Sequence, residues 1–439
     1  MNTIGRNWES FALDPQLGAM HERKDLPCED AAACYQGSRF SVAVISDGHG
    51  SENSCRSKDG SKFAVETVVE SASRFFDELE TDSGEVKADK VVKNLAQLKR
   101  SILLNWKSKV FDYTCEKPFD PDGEYKQPKE RYAKRYLSSQ NIESMYGATL
   151  NAVVVCESMW FSLKIGDGTF AARTEDGYLA IVPDTDTHQQ ICFSAEDIER
   201  VEENSGPGEK TESLCSSRAG DCLIVHFGLL EEQPDCTGSP TEEIEPGIFQ
   251  VKGKKPFAFL VNSDGIDKGY PTAVDQLELY DGVVDVIYSL DIEQACVELQ
   301  AELPRLSSMG SQDDISLAGI VDMSFDWNSI HTASGQTEST PDCEESSSEQ
   351  GSGVAPDDEG SCATKEDEES QEAAEDGGSC VVPEDENPEV PSDSETEPVE
   401  DFVKEQDEPT CDNEEISDEA LEAPVDDQEN EICETDASC

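Results

Sequence analysis

The sequence predicts an α+β layered sandwich, with antiparallel sheets covered by helix pairs and a disordered acidic tail behind them. Three observations carry this. Strand-like apolar runs follow one another across short turns through the middle of the chain, which favours antiparallel neighbours over βαβ crossovers. Long stretches near the start and the end carry helical apolar spacing instead. The resulting order is strand, two helices, many strands, helices, strand, and it lets helices close the outer face of each sheet.

The elements follow in order. FSVAVIS (40–46) reads as a strand buried on both faces. SKFAVETVVESASRFFDEL (61–79) places Phe63, Val65, Val68, Val69, Ala72, Phe75, Phe76 and Leu79 on one helical stripe. Residues 89–111 form a second long amphipathic helix. Residues 113–141 are polar, contain Pro118, Pro121 and Pro128, and read as a loop or short insertion. GATLNAVVVC (147–156), WFSLKIGDG (160–168), YLAIVP (178–183), DCLIVHFGLL (221–230) and PFAFLVNSDG (256–265) are strand-like. Residues 285–303 return to helical spacing in two pieces, and DDISLAGIVD (313–322) closes the domain as a strand.

Charge divides the chain. From Ser334 to Cys439 there are 39 acidic residues against 2 lysines, so this quarter supplies 37 of the 64 net negative charges. With few aromatics and no apolar periodicity it cannot offset its ordering entropy. The expected domains are residues 1–325, folded, and 326–439, a disordered acidic tail. The folded part is still acidic, which argues against a general nucleic-acid binder and against docking on an anionic membrane. The start, MNTIGRNWESFALDPQ, has no apolar segment of the signal-peptide kind. Sixteen irregularly spaced cysteines without a CxxC pair read as free thiols. Both features point to a cytoplasmic protein.

The strand ends share a device: a carboxylate beside glycine or beside another carboxylate. PCEDA carries Glu29 and Asp30, SDGHG carries Asp47, IGDG carries Asp167, NSDG carries Asp264, and SQDDIS carries Asp313 and Asp314. One Asp-Gly alone is a turn signal, and TEDG (174–177) and YDGV (280–283) are read as turns. Several carboxylates converging on one rim repel each other unless a cation sits among them. Hard divalent ions with oxygen ligands, Mg²⁺ or Mn²⁺, suit such a set.

In this order the motifs CED, SDGHG, GATL, IGDG, NSDG and QDDIS resemble those of the type 2C metal-dependent protein phosphatases. The resemblance spans Gly18 to Val321, and GAMHERKDLPCEDA is similar to the bacterial branch, with Glu29 where that branch often has Gln. It implies a four-layer α-β-β-α sandwich of two antiparallel sheets flanked by helix pairs. It also implies roles. Asp47 bridges two metals, with the Gly48 carbonyl on one of them, and Asp264 and Asp313 hold the other. Asp30, with Glu29, acts close by or through metal-bound water. Asp167 with Asp264 matches a third metal position. Asp314 stands where Asn is common and is read as supporting. His49 is the implied proton donor to the leaving alkoxide, and a metal-activated water is the implied nucleophile.

The arginine with which many members grip the substrate phosphate is missing, since Asp25 stands there. His21, Arg23 and Lys24 are the candidate substitutes, with His21 first because it matches the bacterial pattern. The remaining histidines, His188, His226 and His331, are read as structural or surface residues. The implied activity is dephosphorylation of phosphoserine and phosphothreonine in protein substrates, opposite a serine/threonine kinase, with two or three Mn²⁺ or Mg²⁺ ions. The alternative is a pseudophosphatase, a phosphoprotein-binding scaffold without turnover. The acidic tail is a candidate arm for a basic partner.

Overall fold

The computed structural model describes residues 7–79, 86–185, 188–204, 212–230 and 239–330. Residues 331–439, which hold His331 and the acidic tail beyond its first five residues, lie outside them. The strands are β1 (Trp8–Ala12), β2 (Ala31–Gln36), β3 (Phe40–Ser46), β4 (Leu150–Cys156), β5 (Met159–Ile165), β6 (Thr169–Thr174), β7 (Gly177–Thr185), β8 (His188–Cys192), β9 (Ile224–Leu229), β10 (Thr241–Glu245), β11 (Ile248–Val251), β12 (Pro256–Asn262) and β13 (Leu317–Asp322). The helices are α1 (Ala19–Arg23), α2 (Ser57–Leu79), α3 (Ala88–Glu116), α4 (Glu130–Leu137), α5 (Ala195–Asn204), α6 (Ala219–Cys222), α7 (Asp264–Asp267), α8 (Ala273–Ser289) and α9 (Ile292–Met309).

Alternation along single strands builds the layers. In β3, Phe40, Val42 and Val44 join the core under α2 and α3, while Ala43 and Ile45 join a second core between the sheets. In β12, Ala258 and Leu260 pack with α8 and α9, while Phe259 and Val261 face the same intersheet core. Successive side chains leave a strand on opposite faces, so each of these strands is buried on both. One sheet runs β1-β13-β12-β6-β7-β8 and the other β10-β11-β9-β5-β4-β3-β2. The result is the four-layer α-β-β-α sandwich that the sequence implied.

The differences from expectation have local causes. The pairing of β9 with β11 is parallel, in sheets that are otherwise antiparallel. Strand β10 (TEEIE) escaped notice because it is an exposed edge strand with little apolar content. YDGV is not a turn: it lies inside α8, where the burial of Tyr280, Val283, Val284 and Ile287 holds a helix through the Asp281-Gly282 pair. Residues 113–141 are not merely a loop, since they contain the end of α3 and all of α4. Among the described residues no helix is long and apolar enough to cross a membrane, and the nine cysteines are free thiols.

One close approach and one buried imidazole stand out in the packing. A side-chain carbon on Gly60, in α2, would lie 2.0 Å from the Tyr146 carbonyl oxygen. His226, on β9, is buried against Phe249, and its Nδ1 has no hydrogen-bond partner. Burial, and then the Lys164 charge, push its pKa down to about 3.

Gly60→Ala is expected to cost about 1–3 kcal/mol through overpacking. Gly282→Ala, with nothing within 4 Å of the added carbon, is expected to gain about 0.5–1 kcal/mol. Urea unfolding reads both. His226 binds its proton in the unfolded chain near pH 6.5 but in the folded one only near pH 3. Stability is therefore lost as pH falls through that window. His226→Phe should flatten this part of the stability profile measured from pH 7 to 4.

Candidate metal centre

Strand β3 ends on Ser46, and its continuation is clamped by residues 147–149. The Ser46 hydroxyl donates to the Thr149 carbonyl (2.6 Å), the Asp47 amide donates to Thr149 Oγ1 (3.0 Å), and the Thr149 amide donates back to the Asp47 carbonyl (2.8 Å). The His49 amide donates to the Gly147 carbonyl (2.9 Å). A carbon on Gly147 would strike the His49 ring at 2.5 Å, and one on Gly48 would lie 2.6 Å from the Glu29 carbonyl oxygen. Both glycines are therefore conditions for the approach of three chain segments, which answers why SDGHG and GAT occur together.

Asp167 is aimed by a different device. Gly166 and Gly168, on either side of it, have φ of +94° and +78°, a region that glycine alone enters freely. The buried Lys164 ammonium gathers the carbonyls of Gly166 (3.0 Å), Asp167 (3.2 Å) and Gly168 (2.7 Å), which ties the turn into one cradle. Burial pushes the Lys164 pKa down to about 8. Asp264 opens α7 at the end of β12. Below it, Asp267 accepts from Asn262 Nδ2 (2.6 Å), and Asn262 accepts from the Tyr280 hydroxyl (2.7 Å).

Oxygens of Asp47, Asp167 and Asp264 all lie within 4.8 Å of one another. They share a pocket with His21, Gly48, His49, Thr149, Lys268, Asp313 and Asp314. Burial and then the charges of Asp30, Asp264, Asp167 and Asp313 hold the Asp47 carboxyl well above the ordinary carboxylate range. Burial and the Asp167 charge push Asp264 up to about 7. Asp264 Oδ1 is buried with no hydrogen-bond partner. An all-oxygen set, strained by its own repulsion and holding an unsatisfied buried oxygen, fits a hard divalent cation.

The other predicted residues divide into those at the pocket and those beside it. Asp313 lines the pocket. Asp30 lies behind it, buried, with the Ser316 hydroxyl donating to Oδ2 (2.9 Å); burial and then the Asp314 charge hold its carboxyl well above the ordinary range. Glu29 is fully buried and turned to other partners. It accepts from Ser57 (2.6 Å), from the Tyr125 hydroxyl (2.7 Å) and from Lys126 at both oxygens, one of them at 2.5 Å. His21 lines the pocket with Nδ1 at 2.9 Å from Asp314 Oδ2, and this hydrogen bond is the largest cause of its raised pKa. Arg23 points outward, onto Gln312 (2.5 Å), and does not line the pocket. Asp314 also accepts from the Gly18 and Glu29 amides, both at 2.7 Å, so it fastens the whole 18–29 segment. His49 lines the pocket nearly enclosed, and burial holds its imidazole below the ordinary range.

Three lysines escaped the sequence reading. Lys268 pairs with Asp264 and lies 3.7 Å from Asp313; its signal is the spacing of four residues along a helical turn. Lys164 announces itself as a lone cation in an apolar strand. Lys126, 97 residues from Glu29, gives no local signal.

A family model for protein phosphatase 2C matches residues 17–303. A search of curated protein sequences finds no match. Among solved structures, the chain is similar to a bacterial serine phosphatase at 13% identity and a TM-score of 0.40, covering 72% of this chain and 98% of that one. It is similar to the catalytic domain of the serine/threonine phosphatase PstP in complex with two manganese ions at 12% identity and a TM-score of 0.37, covering 72% and 98%. For a serine/threonine phosphatase from Staphylococcus aureus the values are 14%, 0.40, 72% and 94%.

Lys126→Met leaves a buried carboxylate without its cation and is expected to cost about 3 kcal/mol in urea unfolding. Adding Glu29→Gln should return more than half of that loss. An undisturbed single variant would show that the pair contributes nothing.

Proposed function

This chain belongs to the protein phosphatase 2C family, and from that premise we propose that it is a Mg²⁺- or Mn²⁺-dependent hydrolase of phosphoserine and phosphothreonine in proteins. The observation that carries the reading is the convergence of Asp47, Asp167 and Asp264 within 4.8 Å, in one pocket with His49.

In this reading Asp47, the Gly48 carbonyl, Asp264 and Asp313 would hold two ions, and Asp167 with Asp264 would hold a third. When bound, such ions supply Lewis acidity to phosphoryl oxygens and lower the pKa of water. The protein residues supply the rest. Thr149 and Lys164 hold Asp47 and Asp167 against their mutual repulsion. Asp30 stays fixed on Ser316, close enough to Asp47 to raise its pKa. His49 gives a proton to the leaving alkoxide; its lowered pKa makes the protonated ring scarcer but a stronger acid.

The phosphate grip is assigned to His21 and Lys268, both in the pocket. Lys268 is the better placed, because with Asp264 and Asp313 engaged by ions its ammonium can turn to a phosphate oxygen. The competing reading, a phosphoprotein-binding scaffold without turnover, draws on Arg23, which is held on Gln312. Residues 1–325 are assigned to the phosphatase domain and 326–439 to an interaction tail for a basic partner. A cytoplasmic setting opposite a serine/threonine kinase completes the reading.

Asp47→Ala should reduce Mn²⁺-dependent hydrolysis of a phosphothreonine peptide about a thousandfold, since the ions contribute several kcal/mol of transition-state stabilisation. Circular dichroism should stay unchanged. Equal rates in the two proteins would sink the reading, and binding of the peptide without turnover by wild type would favour the scaffold.

A further inference from the structure

Helix α4 and the residue before it run against the charge of the chain. Residues 129–135 (KERYAKR) carry Lys129, Arg131, Lys134 and Arg135 against Glu130, in a chain with 97 acidic and 33 basic residues. Arg131, Lys134 and Arg135 stand three and four apart, so they share one face. Tyr132 and Tyr136 lie toward the core, where Tyr136 packs edge-on against Phe119 at 5.4 Å.

The two arginines are organised by a single ring. The Arg131 guanidinium lies 4.7 Å from the Tyr132 ring centre and donates to its hydroxyl (3.2 Å), and Arg135 lies 5.8 Å from the same ring. The ion pairs of this region join Lys134 to Glu130 and Lys129 to Glu52, all four side chains being exposed. Among the described residues Arg131 and Arg135 pair with no carboxylate. The other small basic run, 252–255, is different: Lys252 is paired with Glu242 and Lys254 with Asp176.

Helix α4 is also tied to the segment that follows the pocket wall. The Tyr136 hydroxyl donates to the Asn53 carbonyl (2.8 Å), three residues after Gly50 on the pocket wall. On the other side the strap before α4 is anchored by Glu124 on Arg56 (2.6 Å) and by Tyr125 and Lys126 on Glu29. Two guanidinium forks stacked on an aromatic ring lose little freedom when they take a carboxylate partner. A pocket walled by carboxylates repels acidic polypeptide, so a fixed basic face at its edge sets what can approach.

We propose that the Arg131–Lys134–Arg135 face of α4 is a docking surface for an acidic stretch of the phosphoprotein substrate, beside the phosphorylated residue. The proposal rests on the phosphatase reading above, and names the substrate class of that site.

The test uses the full chain and a variant with Arg131→Gln, Lys134→Gln and Arg135→Gln. Substrates are p-nitrophenyl phosphate and two phosphothreonine peptides, one flanked by Asp and Glu, the other by Ser and Gly. Wild type should prefer the acidic peptide, and the variant should lose about tenfold in kcat/KM on it, mainly through KM. Rates on p-nitrophenyl phosphate and on the neutral peptide should not change, and 0.5 M salt should erase the preference. No preference in wild type, or an equal loss on all three substrates, overturns the proposal. Fluorescence anisotropy of the labelled acidic peptide separates the two readings. Variant-sensitive binding by an inactive protein sinks the phosphatase reading and leaves the docking surface. An active protein that binds both peptides alike sinks the docking surface. Variant-sensitive binding of oligo-dT in place of the peptide would assign the face to nucleic acid and overturn it.

Discussion

Asp47, Asp167 and Asp264 are held within 4.8 Å of one another in a largely buried pocket, and the surrounding structure is arranged to keep them there. Like charges at that separation separate or take up protons unless a cation joins them. Each carboxylate is accordingly fixed through its backbone, by ladders and turns that do not depend on the side chain. Asp47 sits in a clamp with Thr149, Asp167 in a turn gathered by Lys164, and Asp264 at the first turn of α7 over the Asn262–Asp267–Tyr280 network.

A second shell of charges lies behind this one and has a different character. Glu29 and Lys126 form a buried ion pair with Tyr125 and Ser57, and Arg56 and Glu124 form another nearby. These pairs anchor the strap from 117 to 129, which in turn delivers α4 to the edge of the pocket. A buried pair of this kind adds little net stability over an apolar equivalent, but losing one partner is costly. Its structural consequence here is to tie the strap to the Glu29–Asp30 segment.

The continuous apolar runs were enough to read the layers, because strands buried on both faces need apolar residues at nearly every position. The metal-ligating candidates were legible for a related reason. A carboxylate beside glycine at several strand ends is a joint pattern that turns alone do not produce, and it placed Asp47, Asp167, Asp264 and Asp313 around one pocket. Arg23 shows the limit: two residues after His21 on the pocket wall, it leaves toward Gln312 because α1 turns that face outward. YDGV shows another, since helix α8 overrides a local turn preference by burying Tyr280 and Val283.

By itself the sequence determined the order of the main strands and helices, the carboxylates that meet in one pocket, and the glycines that let the chain pass close to them. These are local properties, written in periodicity and in neighbouring residues. Tertiary structure alone decided the long-range partners of the charged groups: Lys126 on Glu29 and His21 on Asp314. It also brought Arg131 and Arg135 together over the ring of Tyr132. The reason is sequence distance. Lys126 and Glu29 are 97 residues apart and Asp314 and His21 are 293 apart, and only the packing of helices on sheets brings such residues within reach of a hydrogen bond.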